Sequence, residues 1–201
     1  MKPKLNDQLA ELLQQMLETE MGGVKIYEMA LQCVVNEDLK KEYEEYLEQT
    51  QKHERIMREL FEKLGLAEEE TPGRLVVRHI GESLVTAMTM AKDSGTPEAA
   101  EIVACECVVF AETKDHLNWH LLTSFAEEAK GDLKKALMEA VEQVEDQEDE
   151  HLYHSKGWCR ELWIASLGMK AVLPPPEEQK SVKTAIGASR AEQARDELLK
   201  H

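Results

Sequence analysis

Four long stretches of this chain place apolar side chains three and four residues apart. Each of the four stripes is interrupted near its middle by residue types that bind metals. Spacing of three and four is the signature of one face of an α-helix. The first stretch, from about Leu5 to Val35, carries Leu9, Leu13, Met16, Val24, Tyr27, Leu31 and Val34, with Glu20 on the same face. The second ends at Leu64 and carries Tyr43, Tyr46, Met57 and Leu60, with Thr50 and His53 between them. The third carries Ile102, Cys105, Val109, Trp119 and Thr123 around Glu112 and His116. The fourth carries Leu137, Val141, Val144, Ser155, Cys159 and Leu162 around Glu148 and His151. Glu148 and His151 are nearly one helical turn apart, so both side chains point the same way. A carboxylate and an imidazole aimed into an apolar interior need a partner, and a metal ion is the usual one.

Punctuation divides the stripes into two hairpins. A short turn near Asn36 joins the first pair, and Gly65 ends the second helix. Thr71-Pro72-Gly73 closes a loop, and a shorter apolar helix from about Arg74 to Lys92 follows as a crossover. Thr96 is the expected cap and Pro97 the expected first residue of the third long helix. That helix should end at Gly131, with Asp132 capping the fourth, which should bend or end between Gly157 and Gly168. The expected fold is all-α: an antiparallel four-helix bundle with a crossover helix between its second and third helices. Residues 1–170 would form the bundle. Pro174-Pro175-Pro176 sets off a tail over 171–201, where Ser189 and Glu192 make a capping box for a short last helix.

The polar breaks fall at one height. Glu20 lies 16 residues before Asn36, and Thr50 and His53 lie 14 and 17 after it. Glu112 and His116 lie 19 and 15 residues before Gly131, and Glu148 and His151 lie 17 and 20 after it. At about 1.5 Å per residue, each hairpin brings its polar residues within a few ångströms of one level.

Composition excludes several functions. Across 201 residues the formal net charge is −16, which repels nucleic-acid phosphates and anionic membranes. Neither nucleic acid nor membrane is therefore an expected partner. No N-terminal apolar run suits a signal peptide, and no segment is long enough to span a bilayer. Cys33, Cys105, Cys107 and Cys159 include no Cys-x-x-Cys pair, which rules out a zinc ribbon or a rubredoxin-like iron site. Cys105 and Cys107 point in different directions on one helix. Free thiols lead to a cytoplasmic expectation.

The arrangement resembles the ferritin-like di-iron carboxylate superfamily, most closely its rubrerythrin-type branch without a rubredoxin domain. That pattern uses a Glu on one helix and Glu-x-x-His on the next, twice over. The halves here read Glu20 with Thr50-Gln51-Lys52-His53, and Glu112 with Glu148-Asp149-Glu150-His151. Tyr27 resembles an aromatic position of rubrerythrin-like helices. The resemblance covers about residues 5 to 165. It departs from the family at Thr50, where the pattern has a bridging Glu. Five of the six usual ligands remain, namely Glu20, His53, Glu112, Glu148 and His151. His116 is the expected sixth, with Asp115 as a second candidate. Two metals with altered ligation, one metal, or none are all compatible with that set.

The resemblance implies iron, two ions if the site is complete, with Mn or Zn as alternatives. It implies Fe(II) oxidation coupled to consumption of O2 or peroxide, with electrons drawn from another protein or from Fe(II) itself. A homodimer is the expected assembly. The competing readings are a metal-binding bundle without turnover, which Thr50 favours, and a structural bundle whose site has decayed. Plain roles are favoured elsewhere: core packing for Tyr27, ahead of a hydrogen-bond donor to the site or a redox-active neighbour; exposure for His120 and His154, ahead of supporting or entry-path roles; and packing or interface anchoring for Trp119, Trp158 and Trp163.

Overall fold

The computed structural model describes residues 5–170, and the expected tail with its capping box lies outside them. Every element among the described residues is helical: α1 (Asp7–Ala30), α2 (Glu37–Leu64), α3 (Pro72–Ser94), α4 (Pro97–Glu128), α5 (Gly131–Val141) and α6 (Glu145–Ser166). α1, α2, α4 and the α5–α6 pair make the bundle. α3 packs across α1 and α4 from outside.

Local chemistry sets most of the boundaries. Asn36 caps α2 by accepting from the backbone N–H groups of Asp38 and Leu39. Glu101 Oε1 then fixes the α1–α2 turn by accepting from the N–H groups of Val35 (2.9 Å) and Asn36 (2.6 Å). Gly65 ends α2 in the left-handed region at φ 66°, where a side chain would be strained. Thr71 and Thr96 cap α3 and α4, each followed by a proline whose missing N–H costs nothing there. α1 stops at Ala30 rather than near Val35.

Two expectations about the fourth long helix are corrected. Lys130, not Asp132, occupies its N-cap, so Asp132 sits in the first turn of α5. The helix also divides in two. Around residues 142–144 the backbone tightens into three-residue hydrogen bonds, Gln143 N to Ala140 O and Val144 N to Val141 O. α6 then runs unbroken through Gly157 to Ser166. The break contains neither Gly nor Pro, so nothing in the local sequence marks it. It places Glu148 in the first turn of α6, where the positive end of the helix dipole favours a carboxylate.

The interior is two apolar cores with a polar layer between them. One core contains Leu9, Leu13, Met57, Leu60, Trp119, Leu122, Leu137 and Val141. The other contains Tyr27, Ala30, Leu39, Tyr43, Ala104, Cys105, Val108 and Trp158. Along each bundle helix the metal-ligand residue types fall between the residues of these two cores. α3 contributes little to either, with only Arg74 and Met88 buried. Arg74 Nε donates to Glu18 Oε2 at 2.7 Å and Arg78 Nε to Glu18 Oε1 at 2.8 Å, which clasps α3 to α1. No helix among the described residues is long and apolar enough to cross a membrane.

Candidate metal centre

Glu20, His53, Glu112, Asp115, Glu148 and His151 are all buried in the polar layer. They come from α1, α2, α4 and α6, so every bundle layer supplies at least one. His53 Nδ1 lies 2.9 Å from Glu148 Oε1 and 3.8 Å from Glu20 Oε2. His151 Nδ1 lies 3.6 Å from Glu112 Oε2 and 3.8 Å from Glu148 Oε1. Two triads with ligand atoms close enough to share an ion are present: His53, Glu148 and His151, and Glu20, Asp115 and Glu148. Glu148 belongs to both.

The hydrogen bonding divides four of these six side chains into a held atom and a free one. Trp119 Nε1 donates to Glu20 Oε1 at 2.8 Å, while Glu20 Oε2 has no partner. Tyr27 donates its hydroxyl to Glu112 Oε1 at 2.7 Å, while Glu112 Oε2 has none. His53 Nε2 meets Gln147 Oε1 at 2.9 Å, and His151 Nε2 meets Gln49 Oε1 at 2.7 Å. A glutamine oxygen only accepts, so both rings donate through Nε2 and turn Nδ1 inward. Both Nδ1 atoms lack a hydrogen bond; the 2.9 Å approach to Glu148 is not aligned for one. Both oxygens of Glu148 and Oδ1 of Asp115 are likewise unpartnered. Buried polar atoms are normally satisfied, and leaving one unpaired costs about 1–3 kcal/mol. Orienting each ligand through its far atom is also how metal sites fix their ligands.

The electrostatics agree with the geometry. Burial drives the carboxyl groups of Glu20, Asp115 and Glu148 well above the ordinary range. Neighbouring carboxylates add to it: Asp115 acts on Glu20, and Glu112 acts on Glu148. Burial also pushes the His53 imidazole down to about 4, so it is neutral. Four carboxyl groups facing two imidazoles form a donor set of hard oxygen and borderline nitrogen atoms, which suits Fe(II), Mn(II) or Zn(II). Ionised, the four would balance two divalent cations.

Of the residues singled out from the sequence, Glu20, His53, Glu112, Glu148 and His151 come together. His116, expected as the sixth, does not. It is about a quarter exposed, and its Nε2 lies 2.8 Å from Asp149 Oδ1, away from the cluster. It helps to line a cavity of about 220 Å³ with Trp119, Glu148, Asp149 and Tyr153, which connects Glu148 to the surface. Asp115, one residue earlier on α4, takes the interior position. Thr50 is buried but donates its hydroxyl to Tyr46 O at 2.9 Å, so it offers the site nothing. Its methyl group packs on Gly23, where an added Cβ would lie 3.1 Å away.

Comparison adds no relative to this geometry. No protein-family model, no curated protein and no solved structure matches the chain.

Other residues found roles the sequence did not announce. Gln49 and Gln147 are polar neighbours of Thr50 and Glu148 with no periodic signal of their own. Tyr27 takes both of its expected roles, packed in the core and donating its hydroxyl to Glu112. His154, expected to be exposed, is largely covered and pairs with Glu42 at 2.5 Å. Glu42 also accepts from Tyr46 (2.7 Å) and Trp158 (2.7 Å), tying α2 to α6.

Proposed function

We propose that the polar layer is a di-metal centre of the ferritin-like, rubrerythrin-related kind, and that it oxidises Fe(II) with O2 or peroxide. One observation carries the reading. Unpartnered ligand atoms of six buried residues converge from four bundle layers, and in four of those residues the remaining polar atom is already held. A bundle stabilised only by packing would lose stability by keeping such atoms unpaired.

Asp115 answers the difficulty posed by Thr50. It restores a sixth ligand, and a fourth carboxylate, from α4 instead of α2. His53 and His151 with Glu148 would hold one ion, and Glu20 and Asp115 with Glu148 the other, with Glu112 beside His151. Iron held there would supply the electrons that reduce dioxygen or peroxide. Trp119 and Tyr27 keep Glu20 and Glu112 aimed inward. Gln49 and Gln147 hold the two imidazoles in the tautomer that can ligate. Glu20, Asp115 and Glu148 carry protons that are displaced as a cation arrives. The cavity beside His116 gives small oxidants a path to Glu148 while the apolar cores exclude bulk water.

Thr50 is the observation that favours a binding bundle without turnover, since it removes a bridging carboxylate. Oxygen uptake separates the two. Protein loaded with Fe(II) under anaerobic conditions and then exposed to air should consume oxygen faster than free Fe(II) does. Iron retained with no uptake above that background would leave the binding reading in its place.

A further inference from the structure

A continuous line of redox-competent side chains leaves the polar layer and enters the second apolar core. Glu112 Oε1 accepts from the Tyr27 hydroxyl at 2.7 Å. The Tyr27 and Tyr43 rings meet edge to face, with centroids 5.4 Å apart. Tyr43 donates its hydroxyl to Cys105 Sγ at 3.2 Å. Cys159, on α6, packs against the core that contains Cys105. Cys105 Sγ also lies 3.6 Å from Ser155 O, one turn before Cys159 on that helix. Tyr27, Tyr43 and Cys105 are fully buried, whereas Cys159 reaches the surface in part. A buried phenol commonly donates to a backbone carbonyl or a water. These two donate instead to a carboxylate of the polar layer and to a thiol.

We propose that Cys105 and Cys159 form a dithiol that supplies two electrons to the metal centre through Tyr43 and Tyr27. This rests on the metal-centre reading above. The two thiols lose two electrons and two protons, and one S–S bond forms between α4 and α6. Hydrogen peroxide takes both electrons and both protons, its O–O bond breaks, and two water molecules leave. Tyr27 can pass its phenolic proton to Glu112 Oε1 as its electron departs and recover it as Tyr43 refills the ring. The thiols are suited to closure. The neighbouring Cys159, together with burial, pushes the Cys105 thiol well up, while Cys105 lowers the Cys159 thiol. Cys159 is thus the one that ionises, and Cys105 lies in the core it packs against. The arrangement gives the chain an internal electron source.

The test uses the full chain, metal-free or loaded with Fe(II) under anaerobic conditions. One equivalent of hydrogen peroxide is added, the thiols are alkylated, and the linkage is mapped by mass spectrometry. With iron, free thiols should fall from four to two, and the new bond should join Cys105 to Cys159. Without iron all four should persist over the same time. Tyr43→Phe should bind the same amount of iron yet keep its four thiols longer; if that variant does not fold, the wild-type comparison still decides. Equal disulfide formation with and without iron would overturn the proposal, because the thiols would then be reacting with peroxide directly. Iron that binds and consumes peroxide while four thiols survive would overturn the relay alone. Failure to bind iron at all would remove the metal centre and the relay together.

Discussion

Loading a divalent cation into the metal-free protein should expel protons, and the number follows from three side chains. Glu20, Asp115 and Glu148 are at most 5% exposed, and burial holds each carboxyl group well above the range in which carboxylates ordinarily ionise. At pH 6 an ordinary carboxylate is already ionised and has no proton to give. Carboxyl groups raised in this way hold protons that ordinary carboxylates have lost, and ligation requires them ionised, so up to three protons leave per chain. Affinity should therefore rise with pH, by up to tenfold per pH unit, or about 1.4 kcal/mol, for each proton released. His53 adds nothing, since burial holds its pKa at about 4 and it is neutral throughout that interval. Titration calorimetry in two buffers of different ionisation enthalpy counts the protons directly. Binding that releases none, with an affinity flat between pH 6 and 7, would refute the reasoning, because the cation would then be held by surface carboxylates.

Three other outcomes follow from the same geometry. Asp115→Asn should lower metal stoichiometry with the helical circular dichroism unchanged, whereas His116→Ala should leave stoichiometry alone; the reverse pattern would place the sixth ligand where the sequence first suggested. The metal-free protein should respond to pH in two senses. The raised carboxyl groups stabilise the fold at low pH and lose that contribution as pH rises above the ordinary carboxylate range. His53, depressed from 6.5 to about 4, contributes about 3 kcal/mol that is present above 6.5 and lost as pH falls toward 4. His53→Gln should abolish the second effect in melts recorded between pH 4 and 6.5, and an unchanged slope would contradict the assignment. Glu18→Ala should destabilise the protein by about 3 kcal/mol by leaving the buried Arg74 guanidinium without its nearest carboxylate, and a loss under about 1 kcal/mol in denaturant melts would show that the α1–α3 clasp matters little.

The helices were legible because their physics is local. Three-and-four spacing marks a buried face, and Asn36, Gly65, Thr71-Pro72 and Thr96-Pro97 mark ends through caps and restricted backbone angles. The α5–α6 division was not legible. It is made by a tightened turn among residues that would all fit a helix, and the packing around buried Val141 and Val144 decides it. The same limit explains Asp115 and His116. Both are near neighbours of Glu112 on one helical face, three and four residues on, and adjacent residues are turned about 100° from each other. Periodicity does not choose between them. The packing of α4 against α1 and α6 does, putting Asp115 inside and His116 beside Asp149. Gln49 and Gln147 were invisible for another reason: a residue that orients a ligand needs only reach, and reach leaves no period in the sequence.

The central claim is that the polar layer holds metal, and elemental analysis tests it most directly. Untagged protein is saturated with Fe(II) without oxygen, freed of loosely bound ions, and compared with the Glu148→Ala, His151→Ala double variant. The account predicts about two ions per chain in the native protein, matching four carboxylates against two divalent charges, and a marked loss in the variant with its helical signal preserved. Equal metal content in the two proteins, or none in either, would contradict it.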